Sequence, residues 1–454
     1  MSSKQQNVLS SCPKLLDHYK VGNPPRFAPL TTKAQRAVPL TTCPMKNHFD
    51  LIIIGGGLVG ASLAASLAES GLSLALIEAA PLPAQNHPHP NPLPKGEGAN
   101  DSLREPKTPL TWDSRIFAIS PGSRKFLEAF GAWALLDTQR IAAVEHMHVF
   151  GDTGAALNFS AYQMGVPELA CILENRALHS ALWQILPQQE NLTLLQGTRC
   201  QALQVASDKA SLTLDDGTQL SAALIVGADG RDSWLRQQAG LSATPTDYAQ
   251  HGVVANFKCT LPHRGIAHQW FQNDGILALL PLPDNQVSIV WSVSPARAAE
   301  LLALPPDELC RQVAHAARNT LGELSVITPA AAFPLRKLTL DNISAPRIAL
   351  VGDAAHNMHP LAGQGVNTGF RDAQQLANLL LARGALNDVG DAQLLRRFDR
   401  KRREDIRTMQ TTTYALKHLF NNDNPLLRGL RNSGLNLVNQ LTPVKKLLMR
   451  HALN

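Results

Sequence analysis

Gly55, Gly57 and Gly60 lie within FDLIIIGGGLVGASLAASLAESGLSLALIE, residues 49–78. An apolar run, Leu51–Ile54, precedes them, small residues at Ala61, Ala64, Ala65 and Ala68 follow, and a second apolar run ends at Glu78. This order predicts a strand, a tight turn, a helix and a second strand. In that setting each glycine has its own duty. Gly55 permits the turn, Gly57 lets a pyrophosphate approach the backbone, and Gly60 lets the helix pack closely on the sheet. The helix N-terminus offers free N–H groups and a positive dipole to the phosphates. Glu78 then accepts hydrogen bonds from a ribose. The same carboxylate repels a 2′-phosphate, so FAD or NAD is expected at this site rather than NADP.

Two further stretches end an apolar run on a glycine and an aspartate. One is ALIVGADGRDSWLRQQAGL, residues 223–241, with Asp229-Gly230 at the tip and Arg236 on the helix that follows. The other is RIALVGDAAHNMHPLAGQGVNTGF, residues 347–370, with Gly352-Asp353 at the tip and Gly363-Gln364-Gly365 opening a helix. Taken alone, each aspartate is equally well read as a helix cap. His356 and His359 are of a type that transfers protons, but a place in the loop backbone or in packing explains them as well.

The elements that must position these tips are spread over a long chain. Its 454 residues suffice for two or three domains and a large core. The six cysteines are scattered with no CxxC pair, which argues against a zinc site or a disulfide framework and fits a reducing compartment. No metal-ligand cluster stands out. The net charge of +6 hides an asymmetry. Residues 1–49 hold seven Lys/Arg against one acid, and residues 396–454 hold 13 against four, so the body between them is acidic. Basic ends suit nucleic acid or an anionic membrane. Nothing in the body resembles a nucleic-acid module, which leaves a membrane surface or a solvated helix face. Leu51–Ala68 carries no charge, but its glycines and change of period mark strand, turn and helix rather than a membrane span.

Residues 1–46 read as a disordered, proline-dotted extension, with translation expected to start at Met45 or the tail to serve in targeting. Residues 80–110, with PAQNHPHPNPLPKGEGAN, read as a disordered surface insertion. Helices are expected over Ser120–Leu136, Asn175–Leu186, 306–320, 364–383 and most of 390–454. Short strands are expected over 144–162, around 192–206, 209–214 and 220–228, through 250–295 with a turn at Pro283-Asp284-Asn285, near 325–335 and at 346–352.

GxGxxG…E, GADGxxSxxR and GDAAHxxxPxxGQGxN, in this order, resemble the class A flavoprotein aromatic hydroxylases. Within that class the chain is most similar to the ubiquinone-biosynthesis hydroxylases, through DSRIFAISPGSRKFLEAFGAW (113–133), LENRALHSAL (173–182), GILALLPLPDNQVSIVW (275–291) and HPLAGQGVNTGFRDAQQLANLL (359–380). The resemblance covers roughly residues 47–454 without the 80–110 insertion. It implies an α/β fold: a glutathione-reductase-type FAD-binding domain with a Rossmann-like parallel sheet, a second, mostly antiparallel β-sheet substrate domain, and a C-terminal helical segment. The expected partition is FAD-binding 47–145, 173–245 and 336–385; substrate 146–172 and 246–335; and C-terminal helices 386–454.

The resemblance also implies roles. Glu78 holds the adenosine ribose beside Gly55, Gly57 and Gly60, and Arg115 and Arg176 lie at the cofactor. Asp229 and Gly230 contact the pyrophosphate, with a second role towards NAD(P)H. Asp353, after Gly352, binds the ribityl chain. Pro360, Gly363, Gln364, Gly365, Val366 and Asn367 lie against the isoalloxazine ring, the loop where the reaction takes place, with no side-chain acid or base assigned. The implied cofactors are non-covalent FAD and NAD(P)H as electron donor. The implied reaction is hydroxylation of a polyprenylated phenol or quinol by O2 through a flavin C4a-hydroperoxide. The implied setting is cytoplasmic, peripheral on the inner face of an anionic membrane, in contact with other quinone-biosynthesis proteins. Two other readings stay open: a flavin-dependent reductase or dehydrogenase acting on a prenyl substrate, and a non-catalytic flavin-bound member of a biosynthetic assembly.

Overall fold

Two large sheets, one mainly parallel and one mainly antiparallel, organise the computed structural model, which describes residues 46–80, 111–151, 156–272, 275–357, 363–384 and 387–420. The extension at 1–45, the insertion at 81–110, Met358–Ala362 and everything after 420 lie outside the described residues. The expectations for those segments, Pro360 and His359 included, therefore concern residues outside the description.

The chain opens with β1 (His48–Ile54), α1 (Leu58–Ser66) and β2 (Leu74–Glu78). Next come β3 (Ile116–Ile119), α2 (Pro121–Glu128), β4 (Ala142–Val144), β5 (His146–Phe150), β6 (Ala156–Ser160) and α3 (Ala161–Met164). β7 (Ala170–Glu174) runs directly into α4 (Asn175–Ile185). β8 (Leu192–Gln196), β9 (Cys200–Val205), β10 (Ala210–Leu214) and β11 (Gln219–Gly227) precede α5 (Trp234–Gln238). A run of β12 (Ala243–Cys259), β13 (Ile266–Gln272), β14 (Gly275–Leu282) and β15 (Gln286–Val293) leads to α6 (Pro295–Ala303) and α7 (Pro306–Ala316). The described chain closes with β16 (Leu324–Val326), β17 (Ala331–Leu340), β18 (Ser344–Ala345), β19 (Ile348–Leu350), α8 (Gln364–Leu381) and α9 (Ala392–Phe420).

β19, β11, β1, β2 and β8 lie side by side, all parallel. Leu51–Ile53, Leu74–Leu76, Leu224–Val226 and Ala349–Leu350 are almost completely buried. Such continuous apolar runs are what strands covered on both faces require. In parallel neighbours the C-terminal ends align, so Gly55, Glu78, Asp229 and Asp353, although far apart in sequence, all follow the same edge of this sheet. Ligands bind outside that edge in open α/β sheets.

The second sheet runs β16-β12-β15-β14-β13-β5-β6, with β17 also on β12, and only the β13–β5 pair is parallel. Trp270, Leu277, Leu279, Ile289, Trp291 and Val253 fill one core with α6 and α7 residues such as Leu301, Leu309 and Val313. The cross-strand row Ala267–Leu280–Ser288–Asn256 lies on the other face. A small antiparallel sheet, β3-β7-β4, packs there through Ala142, Val144 and Ile172 against Ala267 and Leu282.

Several sequence expectations need correction. The helix expected over 120–136 ends as α2 at Glu128, since Gly131 takes φ +81°, and only a 3-10 turn follows at Trp133–Leu135. The strand expected near 325–335 is two strands, β16 and β17. β12 starts at Ala243, earlier than its alternation suggests; Pro245 and a bulge between Asp247 and Gln250, with Ala249 at φ 51°, interrupt the pattern. Helix α6 was not anticipated, although Ser294 caps it and Pro295 opens it, the usual start of a helix.

Candidate functional site: the tips of the parallel sheet

The first glycine turn is crowded at all but one position. A Cβ on Gly55 would stand 2.4 Å from the Ala228 carbonyl oxygen, and Gly55 itself has φ +103°. One on Gly60 would stand 2.0 Å from the Gly55 oxygen, and one on Gly56 2.3 Å from the Trp183 ring. A Cβ on Gly57 would meet nothing within 4 Å. Gly57 is also the N-cap of α1 in extended backbone, with no side chain capping the helix. The open space therefore lies where the helix presents its unpaired N–H groups, as an anion site requires.

Glu78 ends β2, and its carboxylate accepts from the Gly56 N–H at 2.6 Å and the Ala80 N–H at 2.8 Å. It thus shapes the glycine turn from below and, having about four lone-pair directions, retains acceptor capacity for a ribose. Trp183 of α4 donates its indole N–H to the Gly56 carbonyl at 2.8 Å. Its sequence carries no sign of this role.

The second tip lies against the first, the site of a Gly55 Cβ being 2.8 Å from the Asp229 amide nitrogen. The Asp229 carboxylate accepts from Ser233 Oγ at 2.6 Å and from the Leu235 N–H at 3.1 Å. Its side chain is therefore engaged in starting α5, the capping role that the sequence leaves open. Gly230 takes φ +80° with open space beside it. Arg236, buried on α5, donates to the Ala354 carbonyl at 3.0 Å and to the Arg231 carbonyl at 2.8 Å. That joins the second tip to the third.

At the third tip Gly352 takes φ +60° and starts the 3-10 turn Gly352–Ala354. Asp353 is exposed and has no hydrogen-bond partner among the described residues, as suits an acceptor for a polyol hydroxyl. His356 is buried and pairs with Asp372 through Nε2 at 2.6 Å, so it belongs to packing rather than to proton transfer at a surface. Asp372 Oδ2 also accepts from the Gly352 N–H at 2.8 Å, while Oδ1 accepts from Arg402 Nε at 2.6 Å. Burial pushes the Asp372 carboxyl upwards, but His356 and Arg402 outweigh it and hold the group below the usual carboxylate range. Burial opposes the charge of Arg402, but Asp372 and Asp405 overcome it and raise its pKa.

Gly363 caps α8 in the left-handed region, φ 63°, with Ala118 of β3 beside it. Gly365 faces open space. Gln364 is buried, and Val366 packs partly on the core. Asn367 is fully buried; its side chain accepts from the Ser120 N–H at 3.0 Å and donates to the Ala118 and Gly363 carbonyls at 2.8 and 3.3 Å. Its side chain thus locks α8 to the segment after Arg115. Arg115 is exposed, with its guanidinium 5.3 Å from the Phe117 ring centre. Arg176 reaches the Thr111 carbonyl, while its backbone N–H and that of Arg115 both donate to the Asp113 carboxylate. Both arginines are therefore tied to one turn, 111–115.

A family model described as an FAD binding domain matches residues 120–413 of this chain. The chain is 33% identical to the ubiquinone hydroxylase UbiL of Rhodospirillum rubrum over 97% of its own length and 95% of that protein's. It is 34% identical to the 3-demethoxyubiquinol 3-hydroxylase of Escherichia coli over 89% of its length and 98% of that protein's. The chain belongs to the FAD-dependent ubiquinone-biosynthesis hydroxylase family. Human COQ6, a mitochondrial ubiquinone biosynthesis monooxygenase, is 30% identical over 89% of this chain and 92% of its own. The fold is that of flavoprotein monooxygenases: PqsL of Pseudomonas aeruginosa superposes with a TM-score of 0.67 at 22% identity, covering 86% of this chain and 99% of its own. The residues present fit the family's cofactor. The space at Gly57 and Gly365, the N-termini of α1 and α8, and the Asp353 carboxylate, which has no partner among the described residues, offer the groups that an elongated dinucleotide with a polyol link would need.

Removing that carboxylate tests the fit. Asp353→Ala is expected to weaken FAD binding by about one to two decades, since a charge-assisted hydrogen bond is worth roughly 1.5–3 kcal/mol. Thermal stability of the apoprotein should not change, because the side chain is exposed. An unchanged flavin dissociation constant, read by fluorescence titration, would refute the ribityl role.

Proposed function

We propose that this chain is an FAD-dependent monooxygenase that hydroxylates the aromatic ring of a polyprenylated phenol or quinol precursor in ubiquinone biosynthesis, with NAD(P)H as donor and O2 as oxidant. What carries the reading is the reach of the similarity to ubiquinone hydroxylases, 98% of the Escherichia coli enzyme's length. It therefore takes in the antiparallel sheet as well as the cofactor domain.

The chain's own residues have the following parts. The α1 N-terminus at Gly57 takes the pyrophosphate, and Glu78 takes the ribose. Asp229 and Gly230 shape the second tip, and Asp353 takes the ribityl chain. Arg115 and Arg176 close the cofactor's flank from the 111–115 turn. Gly363, Gln364, Gly365 and Val366 present backbone N–H groups and the positive end of α8 to the flavin ring, where they favour the negative charge of its reduced form. When bound and reduced, FAD supplies the activated oxygen; the protein positions the two rings and excludes water. Complementation of hydroxylase-deficient bacteria, with the accumulated quinone intermediates identified, tests the assignment. Restored ubiquinone supports it. Flavin-loaded protein that never restores a hydroxylation step overturns it.

No helix among the described residues is long and apolar enough to cross a membrane. A prenylated substrate lives in a bilayer, and the reading is that the chain meets it at the bilayer surface. Helix α9 buries Leu394, Leu395, Phe398 and Ile406 and exposes Arg396, Arg397, Arg400, Lys401 and Arg407. A basic residue held near an anionic surface contributes about 1 kcal/mol. The reading is a peripheral protein on the cytoplasmic face, beside other quinone-biosynthesis proteins. It should co-sediment with anionic but not neutral vesicles, and high salt should release it as the Debye length shortens. Replacing Arg396, Arg397, Arg400 and Lys401 with Gln should weaken the binding without loss of FAD. Equal binding to neutral and anionic vesicles would count against the electrostatic contact.

A further inference from the structure

Among the described side chains, the inner face of α9 carries buried polar Asp399, Arg402 and Gln410 beside its apolar ones. Asp399 accepts from the Ile343 N–H at 2.7 Å, which anchors the helix to the chain before β18. The other two reach towards the third tip. Arg402 Nε donates to Asp372 Oδ1 at 2.6 Å, and the other oxygen of Asp372 holds the Gly352 N–H and His356. Gln410 Nε2 donates to the Asn357 carbonyl at 3.0 Å and to the Leu338 carbonyl at 2.8 Å. Segment 352–357, which carries Asp353, is thus fastened at its start through Asp372 and Arg402 and at its end through Gln410. Arg402 Nη2 also donates to the Thr368 carbonyl at 3.4 Å, and Thr368 Oγ1 donates to the Gln364 carbonyl at 2.9 Å in the first turn of α8.

Stability alone does not call for this arrangement. Well-packed apolar residues of similar volume commonly stabilise a core as well as a buried ion pair does, or better. What directional bonds add is a fixed geometry. The segment needs it, being a short 3-10 turn with Gly352 in left-handed backbone and an exposed carboxylate at its tip. We infer that α9 is a brace for the flavin-facing segment, and that Arg402 and Gln410 are positioning residues that hold Asp353 where a ribityl hydroxyl can reach it. This rests on the reading of Asp353 given above.

The test measures the FAD dissociation constant and the thermal stability of the full-length chain in a set of variants. Gln410→Leu keeps a side chain of similar size and removes both donations, together with the acceptance from Thr339 Oγ1 at 3.2 Å; it should raise the dissociation constant about tenfold, the scale of a lost buried hydrogen bond or two. Arg402→Met should do so by more, and Arg402→Lys should recover part of the loss, because an ammonium can still donate to Asp372. Arg347→Met removes a different ion pair, with Asp388, together with donations to the Ser207 carbonyl. It should lower thermal stability and leave FAD affinity alone. If Arg402→Met does not fold, Gln410→Leu and Arg402→Lys decide the matter. Loss of stability with FAD affinity unchanged in all three would overturn the brace. Asp353→Ala, measured alongside, separates the two ideas: unchanged affinity there refutes the role of Asp353 itself, whereas weakened affinity there with none in the α9 variants refutes only the brace.

Discussion

Gly57→Val is expected to give a folded protein that purifies without flavin. The substituted position has φ −64° and ψ −178°, an extended backbone that valine accepts, and a Cβ there has no neighbour within 4 Å. The fold should therefore tolerate the change. The ligand should not, since the two added methyl groups fill the space at the α1 N-terminus and block its N–H groups. Gly55→Val and Gly60→Val should behave differently and fail to fold, because their Cβ atoms would overlap backbone oxygens at 2.4 and 2.0 Å. Absorbance near 450 nm per mole of soluble protein, with far-UV circular dichroism as the control for folding, checks all three. A fully flavinated Gly57→Val protein would contradict the phosphate assignment.

Asp372→Leu should bring a large loss of stability in a chain that still folds. It leaves Arg402 and His356 facing an apolar side chain in a fully buried place and removes the partner of the Gly352 N–H. Breaking one partner of a buried ion pair costs about 3–5 kcal/mol. The double variant Asp372→Leu/Arg402→Met should regain part of that, because the buried guanidinium left without its carboxylate is gone, yet still bind FAD weakly. The pH dependence follows from the direction of the shift. The folded-state pKa of Asp372 lies below its unfolded value of about 3.9. Its contribution is therefore fully present above that value and is lost as pH falls through the folded pKa. The gap in stability between wild type and Asp372→Leu should be constant from neutral pH down to about 5 and close in stronger acid. Urea midpoints over that range read it. A gap that widens in acid would contradict the depressed pKa.

The features legible in the sequence were those with local causes. The glycines of 55–60 are dictated by a turn and a helix that touch within six residues, so their spacing alone carries the message. The run LIII reads as a doubly covered strand without knowledge of its neighbours. The aspartate tips could be located but not interpreted. Asp229 caps α5, whereas Asp353 stays exposed, and only the fold tells them apart. Asn367 could be placed at the α8 start, but not its bonds to Ala118 and Ser120, almost 250 residues upstream in the chain. Trp183, Arg236, Asp372, Arg402 and Gln410 went unassigned for the same reason. Each acts on a partner brought near by sheet topology, and a single charged or polar residue on a helix reads as a solvated one. In FRDAQQLA the one available sign was an acid one helical turn before Leu376 and next to Ala373, both buried.

An isotope experiment shows whether the protein works as an FAD-dependent hydroxylase. Purified flavin-loaded protein is given NAD(P)H, 18O2 and polyprenylated phenols extracted from hydroxylase-deficient bacteria, and the products are weighed by mass spectrometry. The expected product is heavier by a single oxygen atom that carries the label from dioxygen and none from labelled water, with NAD(P)H consumed in step. NAD(P)H consumed without O2, with hydrogen added to the prenyl chain and no oxygen to the ring, would contradict it.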